Sequence, residues 1–161
     1  QYEQCGEPSL QVRAIDLLLS HDQNLSAKTI PQLLDRPEYY YYLFETLKEH
    51  GQLKLIPERY LKKLYMAEGM LIATLDEYGY APERHTFFER RSIQFQGKEK
   101  HVYIFKIDWG GQAGFGFSGI FATEKSSYEI EEDFTDFYFV EDEESVEFYW
   151  EKYLSQISED P

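Results

Sequence analysis

The chain has 161 residues and a formal net charge of −14, because 30 acidic residues outnumber 16 basic ones. This balance argues against nucleic acid and anionic membranes as partners, since both are bound by clustered Lys and Arg. No stretch approaches the roughly 20 consecutive apolar residues that a membrane-spanning helix needs. The 14 Tyr, 12 Phe and 2 Trp supply enough apolar surface for a core, so we expect a soluble, folded protein.

Two features of the chain bear on its compartment and its origin. The single cysteine, Cys5, has no second cysteine with which to form an internal disulfide, which favours a reducing compartment. The sequence begins at Gln1 and shows no basic and apolar leader. We therefore expect a cytoplasmic protein that is a piece of a longer chain and continues covalently beyond these residues.

The first half of the chain carries the signals of helices. Apolar residues recur at three- and four-residue steps in "PSLQVRAIDLLLS", which predicts a helix buried on most of its surface. A short second helix is expected around Pro31. Pro37 opens a third helix that ends near Gly51, and Pro57 opens the longest helix, which ends near Gly79.

Four consecutive tyrosines, residues 39–42, lie in the third predicted helix. The best apolar face of this helix is formed by Tyr40, Leu43, Phe44 and Leu47. This choice leaves Tyr39 and Tyr42 to cover a neighbouring element or to meet a partner. Both tyrosines are therefore candidate partner-binding residues.

A pattern of two helices occurs twice in the first half. "QVRAIDLLL" is followed by "TIPQLLD", and "YYLFETLK" is followed by "LIPERYL"; the pairs Ile30-Pro31 and Ile56-Pro57 lie 26 residues apart. Over residues 8–78 this pattern resembles the HEAT-type helical repeat, whose first helix often carries Val-Arg and whose second often begins near an apolar-Pro-x-x-Leu element. The resemblance implies an array of antiparallel helical hairpins. A plain helical bundle is the alternative.

After Gly79 the period of the apolar pattern changes from 3.6 to 2, which predicts strands. "TFFERRSIQFQ", with Phe87 and Ile93 on one face, is expected to turn at "GKEK" into "HVYIFKIDW". The next strand carries Phe115 and Phe117, so three strands are expected to build one continuous aromatic surface on an antiparallel sheet. "DFTDFYFV" is a plausible fourth strand.

The segment "VEFYWEKYLSQI" carries the strongest helical pattern of the chain. Its apolar residues fall at i, i+3, i+4, i+7, i+8 and i+11, namely Val146, Tyr149, Trp150, Tyr153, Leu154 and Ile157. The sequence therefore predicts an α+β chain. Residues 1–80 are expected to form antiparallel, HEAT-like helical hairpins, and residues 81–161 a three- or four-stranded antiparallel sheet packed with a C-terminal helix. We expect the two parts to pack together.

The segment "GGQAGFGFSG" contains Gly114-x-Gly116-x-x-Gly119 after an apolar strand, which is the spacing of a dinucleotide-binding loop. Such a loop needs a following helix whose N-terminus receives the phosphate, and "IFATEKSSYEIEED" has no helical period. We therefore expect no nucleotide. Gly114 and Gly116 leave one strand face bare: either a ring or helix of the same chain covers this face, or the groove receives a ligand or a partner's side chain.

Catalytic and metal-binding patterns are not found in the sequence. No histidine lies at i+3 or i+4 from another histidine or from Cys5, so no metal site is indicated. The acidic stretches "EIEEDFTDF" and "VEDEES" lack the alternating oxygen ligands and central glycine of an EF-hand loop. We expect no catalytic residue, no metal and no cofactor. A hydrolase that uses acids from the sheet is a remaining alternative, although no spacing nominates a pair.

These observations favour a non-catalytic protein–protein interaction or scaffold module, the C-terminal part of a larger helical-repeat protein. The alternative is a small acidic inhibitor or immunity-type protein that occupies the basic site of its partner. In both cases the partner is a protein, which the sequence does not identify. The candidate partner-binding residues are Tyr39, Tyr42, Gly114, Gly116, Glu131 and Asp133.

Overall fold

The computed structural model of the chain describes residues 13, 15–16, 29–125 and 127–159. Its fold is α+β: helices come first, and an antiparallel six-stranded sheet and a C-terminal helix follow. The chain divides into two compact units, residues 1–69 and 70–161. The second unit, called the sheet unit below, therefore begins inside the helix that precedes the sheet, upstream of the predicted division at residue 80.

Three helices and two short 3-10 turns are described before the sheet. The helices are α1 (Thr29–Leu34), α2 (Pro37–Glu49) and α3 (Lys63–Glu77), and the 3-10 turns are Leu53–Leu55 and Glu58–Tyr60. Residues 13, 15 and 16 are also helical, whereas the rest of the first predicted helix lies outside the described residues. No helix in the described part of the chain is long and apolar enough to span a bilayer.

The predicted start of α3 at Pro57 is wrong. Pro57 precedes a 3-10 turn, and regular α-helix begins only at Lys63. The hydroxyl of Tyr60 is hydrogen-bonded to the carboxylate of Asp35, and the hydroxyl of Tyr40 donates to the carbonyl oxygen of Tyr60. These bonds tie the 3-10 turn to the preceding helices. The two rounds of the predicted repeat thus differ in their helices, and the HEAT-like resemblance stays a prediction.

The apolar face predicted for α2 is confirmed. Tyr40, Leu43, Phe44 and Leu47 are all buried. Gly69 of α3 lies against Tyr40, because a Cβ atom at this glycine would come within 2.9 Å of the Tyr40 ring. Position 69 of α3 therefore needs a residue without a side chain, because the Tyr40 ring packs directly against it.

The sheet contains six strands, where three or four were predicted. They are β1 (Arg84–Phe95), β2 (Lys98–Asp108), β3 (Ala113–Phe117), β4 (Ile120–Ala122), β5 (Ile130–Glu132) and β6 (Asp136–Phe139). The strand order is β5-β4-β2-β3-β6, and β1 pairs with β2. β2 lies at the centre, since it pairs with β1 along one edge and with both β3 and β4 along the other.

The β1–β2 hairpin was predicted, but its turn lies earlier than expected. Gln96 and Gly97 form the turn, with φ angles of 51° and 78°. A two-residue hairpin turn of the I′ type needs positive φ at both positions, and glycine supplies this at the second position without strain. Lys98 and Lys100, assigned to the turn from sequence, belong to β2.

The prediction of a single continuous aromatic surface is wrong. Directly opposite residues in a β ladder share a face, and Phe117 lies opposite Ile104, whereas Gly116 lies opposite Phe105. Phe115 and Phe117 are therefore on the face away from Phe105. The register set by the connection between β2 and β3 decides this, and a one-residue shift in register exchanges the faces.

A β-bulge in β1 separates two residues that were expected to share a face. The pairing with β2 shifts register between Phe87 and Glu89. As a result, Phe87 lies opposite Phe105, while Ile93 belongs to the core on the other face of the sheet. An extra residue in one strand reverses the alternation beyond it, and the sequence pattern did not reveal this.

The C-terminal helix, α4 (Val146–Glu159), packs on the sheet face that carries Phe117. The ring of Phe117 stacks on Tyr153 with centroids 4.9 Å apart and lies 6.0 Å from Trp150. The hydroxyl of Tyr153 donates to the carbonyl oxygen of Ser118. The predicted apolar stripe of α4 is confirmed, because all six of its residues belong to this core or pack against it.

Candidate functional site

The tyrosines singled out from the sequence are not both at the surface. Tyr39 is fully buried, and the guanidinium of Arg36 lies 4.2 Å from its ring centroid. Of the two alternatives for Tyr39, the structure agrees with the first, in which this side chain covers a neighbouring part of the chain, because Tyr39 lies on the buried face of α2. Tyr42 is half-buried, and its ring makes an edge contact with Tyr41.

The bare strand face at the glycines is covered by the chain itself. A Cβ atom at Gly114 would overlap the Trp109 ring and come within 2.6 Å of the Tyr138 carbonyl oxygen. A Cβ atom at Gly116 would come within 2.6 Å of a Leu71 methyl group. The first of the two interpretations is therefore correct, and no groove is left at these two glycines for a ligand.

The third glycine of the pattern also has a structural reason. Gly119 lies against the backbone of Glu132, and the residue that follows it begins β4 rather than a helix. The hydroxyl of Ser118 accepts a hydrogen bond from the Tyr103 N–H at 2.9 Å. All three glycines of the pattern thus allow close packing of the strand against its neighbours.

Replacing Gly114 with alanine is expected to lower the free energy of unfolding of the sheet unit by about 1–3 kcal/mol, the usual cost of overpacking. The Tyr138 carbonyl oxygen belongs to the backbone of a paired strand and cannot move aside. Gly116→Ala is the matched comparison, and we expect a smaller loss because only side-chain ends must move. Urea unfolding followed by circular dichroism measures both; an equal or greater loss at Gly116 would contradict this account.

The acidic candidates Glu131 and Asp133 are both exposed. Glu131 forms an ion pair with Lys100 of β2, and Asp133 Oδ1 accepts a hydrogen bond from the Thr135 N–H at 3.3 Å. Both carboxylates thus stabilise the connection around β5. Neither lines the cavity described next.

A cavity of about 290 Å³ lies between β6, the acidic turn that follows it, and the first half of α4. Its walls include the rings of Tyr138, Phe148 and Tyr149. Phe148 is one of the most exposed apolar side chains of the sheet unit, with 43% of its surface accessible. The cavity, called the acidic–aromatic cavity below, is therefore open to solvent on a side that carries an unusual share of aromatic surface.

One cation is already placed among these rings. The ammonium group of Lys152 lies 5.2 Å from the ring centroid of Phe148, 5.9 Å from that of Tyr149 and 6.0 Å from that of Tyr138. These are cation–π distances. In residues 29–125 and 127–159, no carboxylate lies within ion-pair distance of this ammonium group. The rings alone thus hold Lys152, although acidic residues line the same cavity.

Three carboxylates form the rim of the acidic–aromatic cavity, those of Glu141, Asp142 and Glu144. Asp142 and Glu143 have φ angles of 51° and 56°, so the chain reverses tightly between β6 and α4. The Glu144 N–H donates to the carbonyl oxygen of Glu141 at 3.1 Å, which closes this turn. The turn therefore keeps three negative charges beside a single positive one.

The turn and the walls are fixed to each other by hydrogen bonds. The N–H of Glu141 donates to the hydroxyl oxygen of Tyr149 at 2.8 Å. The hydroxyl of Tyr138 is hydrogen-bonded to Oε1 of Gln156 at 3.0 Å. Burial, together with the nearby Asp136 carboxylate, raises the pKa of Tyr138 well above its usual range. Tyr138 is therefore neutral at physiological pH and presents an uncharged aromatic wall.

The sequence reasoning missed Phe148 and Lys152. Both lie on α4, outside the apolar stripe that predicted the helix. Their signal was available, because an aromatic residue and a cation four positions apart on a helix lie side by side. The acidic stretch "VEDEES" before the helix was compared only with a calcium-binding loop, and its carboxylates also form the rim of a cavity.

The described part of the chain contains no cluster of three or more His, Cys, Asp or Glu side chains able to hold a metal ion. The acidic–aromatic cavity combines two kinds of group that attract an organic cation, aromatic π faces and carboxylates. Few positive charges compete with such a cation there. A comparison of the chain with protein-family models, with curated proteins and with solved structures finds no match.

Proposed function

We propose that the chain is a non-catalytic protein-interaction module whose sheet unit binds a basic segment of a protein partner. A cationic side chain of that partner enters the acidic–aromatic cavity. The observation that supports this proposal is the grouping of three aromatic rings and three carboxylates around one open cavity. The proposal keeps the interaction role expected from the sequence and takes the chemistry of the partner from the alternative, an acidic protein that binds a basic one.

The two sets of groups have different roles in such binding. The net charge of −14 raises the rate of encounter with a basic protein, and this attraction weakens with added salt. The rings supply rigid contact area at low entropic cost, as aromatic anchors do at protein interfaces. A guanidinium group satisfies both requirements, because it stacks on rings and binds carboxylates through paired hydrogen bonds. An arginine side chain is therefore the preferred occupant.

The test uses a fluorescently labelled, acetylated peptide, Thr-Val-Arg-Val-Thr-amide, and fluorescence anisotropy with the full chain. We expect saturable binding that weakens between roughly 50 and roughly 300 mM salt, as the Debye length shortens. The double variant Glu141→Gln/Glu144→Gln should bind about tenfold more weakly, since it removes two charge-assisted interactions at the rim. A peptide with citrulline in place of arginine keeps the shape and removes the charge. It should bind the unchanged chain no more tightly than the arginine peptide binds the double variant.

The matched control is Glu99→Gln/Glu151→Gln, which removes the same charge at two exposed positions that do not line the cavity. We expect this control to change the affinity by less than about twofold, because exposed charges at a distance are screened. Equal weakening by both double variants would mean that net charge rather than the cavity attracts the peptide. That result, or an absence of saturable binding to the unchanged chain, would overturn the proposal.

A further inference from the structure

The outer edge of β6 carries unused backbone hydrogen-bonding groups. Within the described part of the chain, β6 is a terminal strand of the sheet and pairs only with β3. The Val140 N–H donates to the Ala113 carbonyl oxygen at 2.9 Å, which places the polar groups of Val140 on the β3 side. Successive residues of a strand alternate in direction, so the N–H and C=O of Phe139 point away from β3.

The same alternation applies to Phe137. Its N–H is bonded to the carboxylate of Asp136, Oδ1, at 2.8 Å, on the side away from β3. The C=O of Phe137 and both polar groups of Phe139 thus remain at the edge, without a partner among the described residues. The rings of these two phenylalanines lie near Trp109, at 6.1 and 4.6 Å between centroids, and Trp109 also covers Gly114 on the face opposite Tyr138.

The open edge and the acidic–aromatic cavity lie side by side. Phe137, Tyr138 and Phe139 all line the cavity, with Tyr138 forming one of its aromatic walls. A residue paired directly opposite Tyr138 on a neighbouring strand would place its side chain on the same face as the Tyr138 ring. That face is the one on which the cavity, Phe148 and the acidic rim lie.

We propose that the basic partner binds as an antiparallel strand added to the free edge of β6, and that its residue opposite Tyr138 places an arginine side chain in the acidic–aromatic cavity. This inference rests on the proposed function and specifies how the partner is held. The residues that flank the arginine donate their N–H groups to the C=O of Phe139 and of Phe137. Main-chain bonds supply affinity and one side-chain pocket supplies selectivity, as in other cases of strand addition.

A second copy of this chain fits the edge less well. Pairing β6 with its own copy would bring two acidic rims together, and each chain carries a net charge of −14. Like charges placed opposite one another at an interface oppose association. Charge complementarity therefore selects a basic, extended segment of a different protein.

The test compares three forms of the Thr-Val-Arg-Val-Thr peptide by fluorescence anisotropy. In the proposed antiparallel register the two valine N–H groups face β6, whereas the arginine N–H faces solvent. N-methylation of both valines should weaken binding about 30-fold, because two hydrogen bonds at about 1 kcal/mol each are removed. N-methylation of the arginine should change the affinity by less than about twofold, which makes this peptide the matched control.

The outcomes separate this inference from the proposed function. If the three peptides bind equally well and Glu141→Gln/Glu144→Gln weakens the binding of each to the same extent, strand addition is overturned. The cavity then remains as the binding site. A greater loss from arginine methylation would overturn the antiparallel register. Failure of the unmethylated peptide to bind would instead overturn the proposed function. Sedimentation tests whether the chain forms dimers. Dimers that the unmethylated peptide dissociates would show that a second copy occupies the edge, and this would overturn the inference.

Discussion

Replacing Phe117 with alanine is expected to lower the free energy of unfolding of the sheet unit by about 3–5 kcal/mol, the range measured for large aromatic side chains in cores. Phe117 is fully buried at the C-terminal end of β3. Its ring stacks on Tyr153 and contacts Trp150, two of the residues by which α4 packs on the sheet. The variant therefore leaves a cavity at the place where the sheet and the helix are joined, and the loss of dispersion contacts adds to the loss of apolar burial.

Urea unfolding followed by tryptophan fluorescence measures this effect selectively. Both tryptophans of the chain, Trp109 and Trp150, belong to residues 70–161, so the signal reports on the sheet unit alone. Phe117→Leu is the control: it keeps most of the apolar volume and should cost about half as much or less. A loss below about 1 kcal/mol for Phe117→Ala would show that α4 does not depend on this ring for its packing.

Replacing Lys152 with glutamate is expected to strengthen binding of the Thr-Val-Arg-Val-Thr peptide by about 20-fold, or about 1.8 kcal/mol. The ammonium group of Lys152 occupies the cation–π positions that the peptide's guanidinium would take, and it repels that group. Its replacement frees the rings of Phe148 and Tyr149 and adds a fourth carboxylate to the rim. We therefore expect the native lysine to compete with the peptide's guanidinium for these rings.

The control for this variant is Lys98→Glu, which makes the same change of charge at an exposed position in β2. Anisotropy titrations at one salt concentration should show an increase of less than about threefold for the control. Equal tightening by Lys98→Glu and Lys152→Glu would attribute the whole effect to net charge. Weaker binding by Lys152→Glu would mean that Lys152 contacts the peptide rather than competing with it.

The features that were predicted correctly are those that depend on a regular pattern of residues within one continuous segment. The stripe from Val146 to Ile157 predicted α4 because every member recurs at helical spacing. The negative result at the glycines was also local, since a dinucleotide loop requires a helix directly after Gly119 and β4 stands there instead. Periodicity and turn chemistry depend on residues close together in the chain, and such residues determine the structure of these two segments.

The features that escaped prediction depend on pairing between distant segments. β4 and β5 have only three residues each, so their strand character comes from partners rather than from a period of their own. The faces taken by Phe87 and Phe117 depend on a bulge and on a register, neither of which changes the local pattern.

The candidate site could not be predicted from the sequence, because it also depends on packing between separate segments. Its aromatic walls come from β6 and α4, and its acidic rim comes from the turn between them. Each piece had an adequate local explanation, as a strand, an acidic stretch and a helix. Only the packing of α4 against the sheet brings Tyr138, Phe148 and Glu141 to one cavity.

The position of β2 has a consequence for the order in which the sheet assembles. Its hairpin with β1 closes a loop of only two residues, Gln96 and Gly97, so this pairing loses the least chain entropy. β3 and β4 pair with the opposite edge of β2, and β5 and β6 join those strands in turn, so each later addition needs a strand already in place. We therefore expect the β1–β2 hairpin to form early in folding, and the strand edge and the cavity proposed for partner binding to be completed last.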